Sequence, residues 1–128
     1  MQDRPTASEL LATIAELLEG AVLDATSGGL KHQVRVAGNL CRILEREAAL
    51  GAVQEARETE LLASVLGEPS GGRDAKSLSV ALVARLEAGH DAALEQRAVP
   101  ALLEIVRGKL AIAKPGHDDY DFRGEQPR

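Results

Sequence analysis

Five polar residues in one segment carry the densest chemistry of this sequence: His32, Arg35, Asn39, Arg42 and Arg46. At 100° per residue on a helix they share an arc of about 80°. A cationic stripe of this kind can receive a carboxylate, a phosphate group or an acidic partner helix, because guanidinium forks bind anions through paired hydrogen bonds. The competing reading is a solvated face opposite the apolar side, interleaved with Glu45 and Glu47 for local ion pairs.

A second anion candidate is the segment Ser70-Gly71-Gly72-Arg73-Asp74-Ala75-Lys76-Ser77, whose Gly71, Gly72, Arg73 and Lys76 precede or open a helix. Free amides and the helix dipole favour anions at such a place. A P-loop, however, needs glycine, four residues and then Gly-Lys-Ser/Thr after a strand. Here Gly72 is followed by Arg73-Asp74, so a turn and a cap describe the segment better. Ser27-Gly28-Gly29 with Lys31 is a weaker example of the same kind.

The remaining reactive side chains are scattered. Cys41 falls in an apolar seam, where a free cysteine behaves as a small hydrophobe rather than a nucleophile. His90 adjoins Asp91, but neighbours in sequence do not face each other, and capping by Asp91 is the better account. Asp118, Asp119 and Asp121 lack the glycine and distal glutamate of a calcium loop. Tyr120 and Phe122 can dock on this chain or on another, or stay in solvent. One cysteine and three histidines make neither a disulfide framework nor a spaced zinc set, so no metal and no cofactor are expected.

The elements that must position these residues read as helices. Thr6-Ala7-Ser8-Glu9 has capping-box spacing, and Leu10, Ile14, Leu17, Leu18, Ala21 and Val22 follow at steps of three and four, with a stop near Asp24 to Thr26. A second helix runs from Leu30 through Val34, Ala37, Cys41, Leu44 and Ala48, and Gly51 reads as its end. A short third helix then carries Val53 to Leu66 and stops at Gly67. Glu68 to Arg73 is a loop.

Asp74 or Ser77 caps a fourth helix, Leu78 to Leu86, apolar almost all round and therefore expected at the bundle centre. After Gly89-His90-Asp91, Pro100 predicts a kink or a fresh start, since an interior proline costs about 3 kcal/mol. A short helical turn followed by a helix over about 99–113 is the favoured arrangement. The expected organisation is one domain over 1–116 and a polar, flexible tail over 117–128.

Composition supports an all-α, single-domain bundle of four to five helices. The 128 residues suffice for a core, 45% are hydrophobic, and the only aromatics are Tyr120 and Phe122. The core must be Leu, Val, Ile and Ala, which suits helix faces. A net charge of −5 disfavours nucleic acid, no run is apolar enough for a membrane span, and Met1 to Pro5 offers no signal-peptide core, so a cytoplasmic protein is expected.

Three stretches carry a family resemblance: Arg4-Pro5-Thr6-Ala7-Ser8-Glu9-Leu10-Leu11, then Arg35-Val36-Ala37-Gly38-Asn39-Leu40 with Arg46-Glu47, and Lys109-Leu110-Ala111-Ile112-Ala113-Lys114-Pro115. Over residues 4 to 120 the chain resembles a small bacterial all-helical family of unknown function whose members accompany aminoglycoside-phosphotransferase-like kinases and acyl-CoA dehydrogenases. The resemblance implies an association with acyl-CoA or small-molecule phosphotransferase metabolism, with such a kinase or dehydrogenase as a protein partner, and it brings no catalytic residues. The expectation is a non-catalytic accessory or interaction protein, a homodimer. The alternative is a small-ligand or anion-binding protein, or a minor enzyme, using the polar stripe of the second helix.

Overall fold

The computed structural model describes residues 3–116, 120–121 and 126–127, and the architecture is all-α. The expected tail over 117–128, with its acidic cluster and its question of aromatic docking, lies outside the described residues apart from a two-residue antiparallel ladder, Tyr120–Asp121 with Gln126–Pro127.

Helix α1 spans Ala7–Leu17. Its start is the expected capping box: the Glu9 amide donates to Thr6 Oγ1 at 3.2 Å, and the Thr6 amide donates to Glu9 Oε2 at 2.7 Å. Two otherwise orphaned donors are thereby satisfied. The helix widens into a π-helical segment, Leu18–Val22, and ends where the Thr26 hydroxyl donates back to the carbonyls of Val22 and Leu23.

Helix α2 spans Gly28–Leu66, 39 residues without a break. Gly51 does not stop it, contrary to the sequence reading, so the expected second and third helices are one. The physical difference lies in the backbone. Gly67 has φ 74° and closes the helix with bonds from its own amide to Ser64 O and from the Glu68 amide to Ala63 O, whereas Gly51 keeps a helical φ. Left-handed geometry, not glycine itself, terminates a helix.

Helix α3, Ala75–Glu87, is capped by Asp74, which accepts from the Ser77 amide at 2.8 Å. Helix α4, Ala92–Ala113, begins at Asp91, whose carboxylate accepts from the Leu94 amide at 3.1 Å. It continues through Pro100 as one helix, so the expected fresh start near Val99 does not occur. Buried residues on both sides of the proline, Leu94 and Ala98 before it and Ala101 and Ile105 after it, hold the helix in place despite the lost hydrogen bond.

The chain forms two compact units. The second, residues 52–111 and 115–128, holds the main core: Leu62, Val65 and Leu66 of α2, Leu78 and Leu82 of α3, and Leu94, Ala98, Ala101 and Ile105 of α4. Leu62, Leu78 and Leu94 are sealed from solvent. Ion pairs border this core, with Arg57 bridging Glu60 and Glu104 and Lys109 meeting Glu58 at 3.0 Å. Arg85 and Arg97 donate to the Leu66 and Val65 carbonyls, satisfying acceptors that the end of α2 leaves open. Helix α3 is not enclosed on all sides as its composition suggested. Ala75, Leu78 and Leu82 are buried, while Val80 and Val83 are exposed.

The first unit comprises residues 1–51 and 112–114. Its body is a hairpin of α1, the π segment and the first part of α2. The connection over 25–27 is three residues long, which makes the helices antiparallel neighbours. They approach closely at Gly38, where a Cβ would lie 3.2 Å from Glu19 Cγ and 3.8 Å from Leu18 Cβ.

Candidate functional site

The polar stripe of α2 lies wholly in the first unit, and its members have separate roles. His32, Arg35 and Asn39 are exposed and make no side-chain bond to another described residue. Arg42 is committed to the hairpin. Its Nε and Nη2 donate to Glu19 Oε1 and Oε2 at 3.0 and 2.8 Å, and its Nη1 meets Glu45 Oε2 at 3.0 Å. Arg46 turns its Nε to the Ile112 carbonyl at 2.7 Å, fastening the end of α4 beneath the hairpin. The stripe is thus open for its first two turns and internally satisfied for the last two.

The electrostatics follow that division. Hydrogen bonds from Arg42 hold the Glu19 carboxyl below its ordinary range, with their coulombic attraction adding and desolvation opposing. The same bonds, with those to Glu45, raise the Arg42 guanidinium further above neutrality. This is a positioned ion pair of the bidentate kind, and it leaves Arg42 no free fork for a ligand.

At the glycine loop, Gly71 and Gly72 adopt φ 61° and 77°, as a turn requires. Arg73 folds back to the Ser70 carbonyl and to the Glu68 carboxylate. The amides that open α3 already have an anion, the Asp74 carboxylate, which the Ser77 amide hydrogen bond lowers below its usual range. Lys76 projects from the first turn beside a shallow groove formed with Ser79, Val80, Val83, Ala84 and Glu87. The loop therefore supplies its own counter-charge where a phosphate would sit.

The other reactive groups stand apart. Cys41 is half-buried in α2 rather than sealed in a seam. His90 Nδ1 lies 3.1 Å from Glu95, not against Asp91, which caps α4 as expected. Among the described residues no group of three His, Cys, Asp or Glu is arranged to hold a metal, and no helix is long and apolar enough to cross a membrane.

The feature that residue chemistry missed is apolar. Among the described hydrophobic residues of the first unit only Ala15, Val34 and Ile112 are buried. Leu10, Ile14 and Leu17 of α1 and Leu30, Leu40 and Leu44 of α2 are each about half exposed, from 46% to 58%. For all but Leu40 the helical periodicity was legible, but it assigned them to stripes facing the bundle. The sequence carries no sign that these side chains stay half exposed.

A family model matches residues 24–117, covering α2, α3 and α4. The chain belongs to the DUF6285 family, a domain of unknown function. The DUF6285 match begins at Asp24, so α1 and its capping box lie outside it, as does the Arg4 to Leu11 stretch of the resemblance. The stripe, the glycine loop and the apolar side of α2 all lie within DUF6285. No curated protein and no solved structure shows significant similarity to the chain.

Proposed function

We propose that this protein is a non-catalytic helical interaction protein that works by contact with another macromolecule. The observation that supports this reading is the open apolar side of the first unit. A helix pair that buries Ala15 and Val34 and leaves six large apolar residues half exposed is incomplete by the ordinary logic of helix packing. Contiguous apolar surface on such a scale marks a contact site. Three of the candidate cations argue the same way, since Arg42, Arg46 and Arg73 are engaged by Glu19, Ile112 and Glu68.

The partner proposed from the family resemblance is an aminoglycoside-phosphotransferase-like kinase or an acyl-CoA dehydrogenase, with a role in acyl-CoA or small-molecule phosphotransferase metabolism. Native mass spectrometry of the purified protein, followed by titration of such a kinase and such a dehydrogenase, tests the reading. The expected result is an adduct-free protein that forms a defined complex. A small molecule that co-purifies reproducibly and is lost in Arg35→Ala would overturn it in favour of ligand binding through the open end of the stripe.

A further inference from the structure

We infer that the open side of the α1/α2 hairpin is a self-association surface, and that its occupant is the same hairpin of a second copy. This rests on the interaction reading above and names the partner for one face.

The geometry begins with helix periodicity. In α1 the residues turned to α2 centre on Ala15 and Leu18, and in α2 those turned to α1 centre on Val34 and Gly38. Leu10, Ile14 and Leu17 occupy an arc of about 60° set roughly a quarter turn back from the first pair. Leu30, Leu40 and Leu44 occupy an arc of about 80° set roughly a quarter turn or slightly more back from the second. Because the helices are antiparallel, equal offsets bring both arcs to one side of the hairpin. The Arg42–Glu19 pair and the Arg46 bond to Ile112 fall on the other side, on the arcs offset in the opposite sense. One side of the hairpin is closed by polar links and the other is open.

Three properties of the open side select a second copy. The first is spacing. Leu10 and Leu17 are seven residues apart with Ile14 between, and Leu30, Ala37 and Leu44 repeat at seven with Leu40 between. Seven-residue repeats are the seam of a four-helix bundle, and a hairpin supplies only half of one. An identical hairpin brings the two missing helices with matching spacing, and a two-fold axis makes the patch its own complement. The second is charge. On the two arcs the only polar side chain is Gln33, whereas the chain as a whole carries −5. Two copies can meet through an uncharged face despite that net repulsion.

The third property is area. A face spanning the roughly 18 helical residues of the first arm is about 27 Å long and two helices wide, or roughly 500–600 Å² in projection. The corresponding accessible surface approaches the ~800 Å² per partner of a standard stable interface.

The experiment is light scattering of the full chain over a dilution series, for wild type and for Leu40→Glu, with helicity followed by circular dichroism. The expected wild type has twice the 13.5 kDa monomer mass at about 100 μM, and Leu40→Glu weakens association at least about 100-fold with helicity kept. Arg35→Glu, on the far side, should leave the mass unchanged. Hydrogen exchange of the wild type above and below the dissociation range supplies a check independent of any variant's folding. Protection gained on association should concentrate in 7–24 and 28–51.

A wild type that stays monomeric at about 100 μM overturns the inference, while binding to a kinase or dehydrogenase would still uphold the interaction reading. A dimer that ignores Leu40→Glu, or whose added protection falls on α3, overturns the choice of face. A monomer that also binds neither candidate enzyme takes the broader reading down with it.

Discussion

Glu19 and Arg42 show what a surface pair does when it joins two helices rather than two turns of one. Glu19 sits in the π segment and accepts both donors of Arg42 across the hairpin. A carboxyl held below its ordinary range stabilises the fold at neutral pH, above its unfolded titration range. That contribution disappears as pH falls through the lowered folded value. Urea unfolding of wild type and Glu19→Gln should therefore show wild type the more stable at about pH 7, with the gap narrowing as acidification protonates the carboxyl. A gap that persists at acid pH would mean that Glu19 acts through its shape, not its charge. The chemistry of this residue set was half legible. The cationic stripe of α2 follows from spacing alone, but spacing reaches only three or four residues along a helix. Arg42 finds Glu19 at 23 positions away and Arg46 finds Ile112 at 66, distances that only the packed hairpin brings together.

Among the elements, the capping box of α1, the Asp74 and Asp91 caps and the stop at Gly67 were all readable, because each depends on groups within a few residues. The stop at Gly51 and the fresh start near Pro100 were not, because each depends on whether tertiary packing overrides a local preference. Paired glycine substitutions separate the two cases. Gly51→Ala should stabilise the protein by about 0.5–1 kcal/mol, since helical φ suits alanine and a Cβ there meets only the flexible end of Glu47. Gly67→Ala should destabilise it by about 1–2 kcal/mol, since φ 74° strains any residue with a Cβ. Pro100→Ala should restore a helical hydrogen bond and add up to about 3 kcal/mol. Chemical denaturation midpoints read all three. A loss of stability in Pro100→Ala would indicate that the ring's own contacts outweigh the bond.

At the scale of the whole molecule, apolar burial is unequal, and the inequality is itself testable. The second unit seals Leu62, Leu78 and Leu94, and its three helices each give a buried face. The first unit has two helices and a short end of α4, so its apolar residues outnumber the places to bury them. Composition established the helical class and the Leu/Ala core without revealing this division, because periodicity marks which side of a helix is apolar and says nothing of whether a neighbour exists to cover it. Two truncations distinguish the units. Leu78→Ala opens a cavity in a closed core and should cost about 2–5 kcal/mol at every protein concentration. Ile14→Ala removes a side chain that is already half exposed, so in dilute monomer it should cost well under half as much. Association changes the second figure and not the first. A partner that binds only the folded state stabilises it in proportion to the logarithm of its concentration, so thermal midpoints of the wild type should rise with concentration, and Ile14→Ala should flatten that rise. Leu78→Ala should shift the whole curve downward with its slope kept. Midpoints that ignore concentration in the wild type would show that the open hairpin face contributes nothing to stability in trans, and Ile14 would then count as one more exposed apolar residue of an ordinary surface.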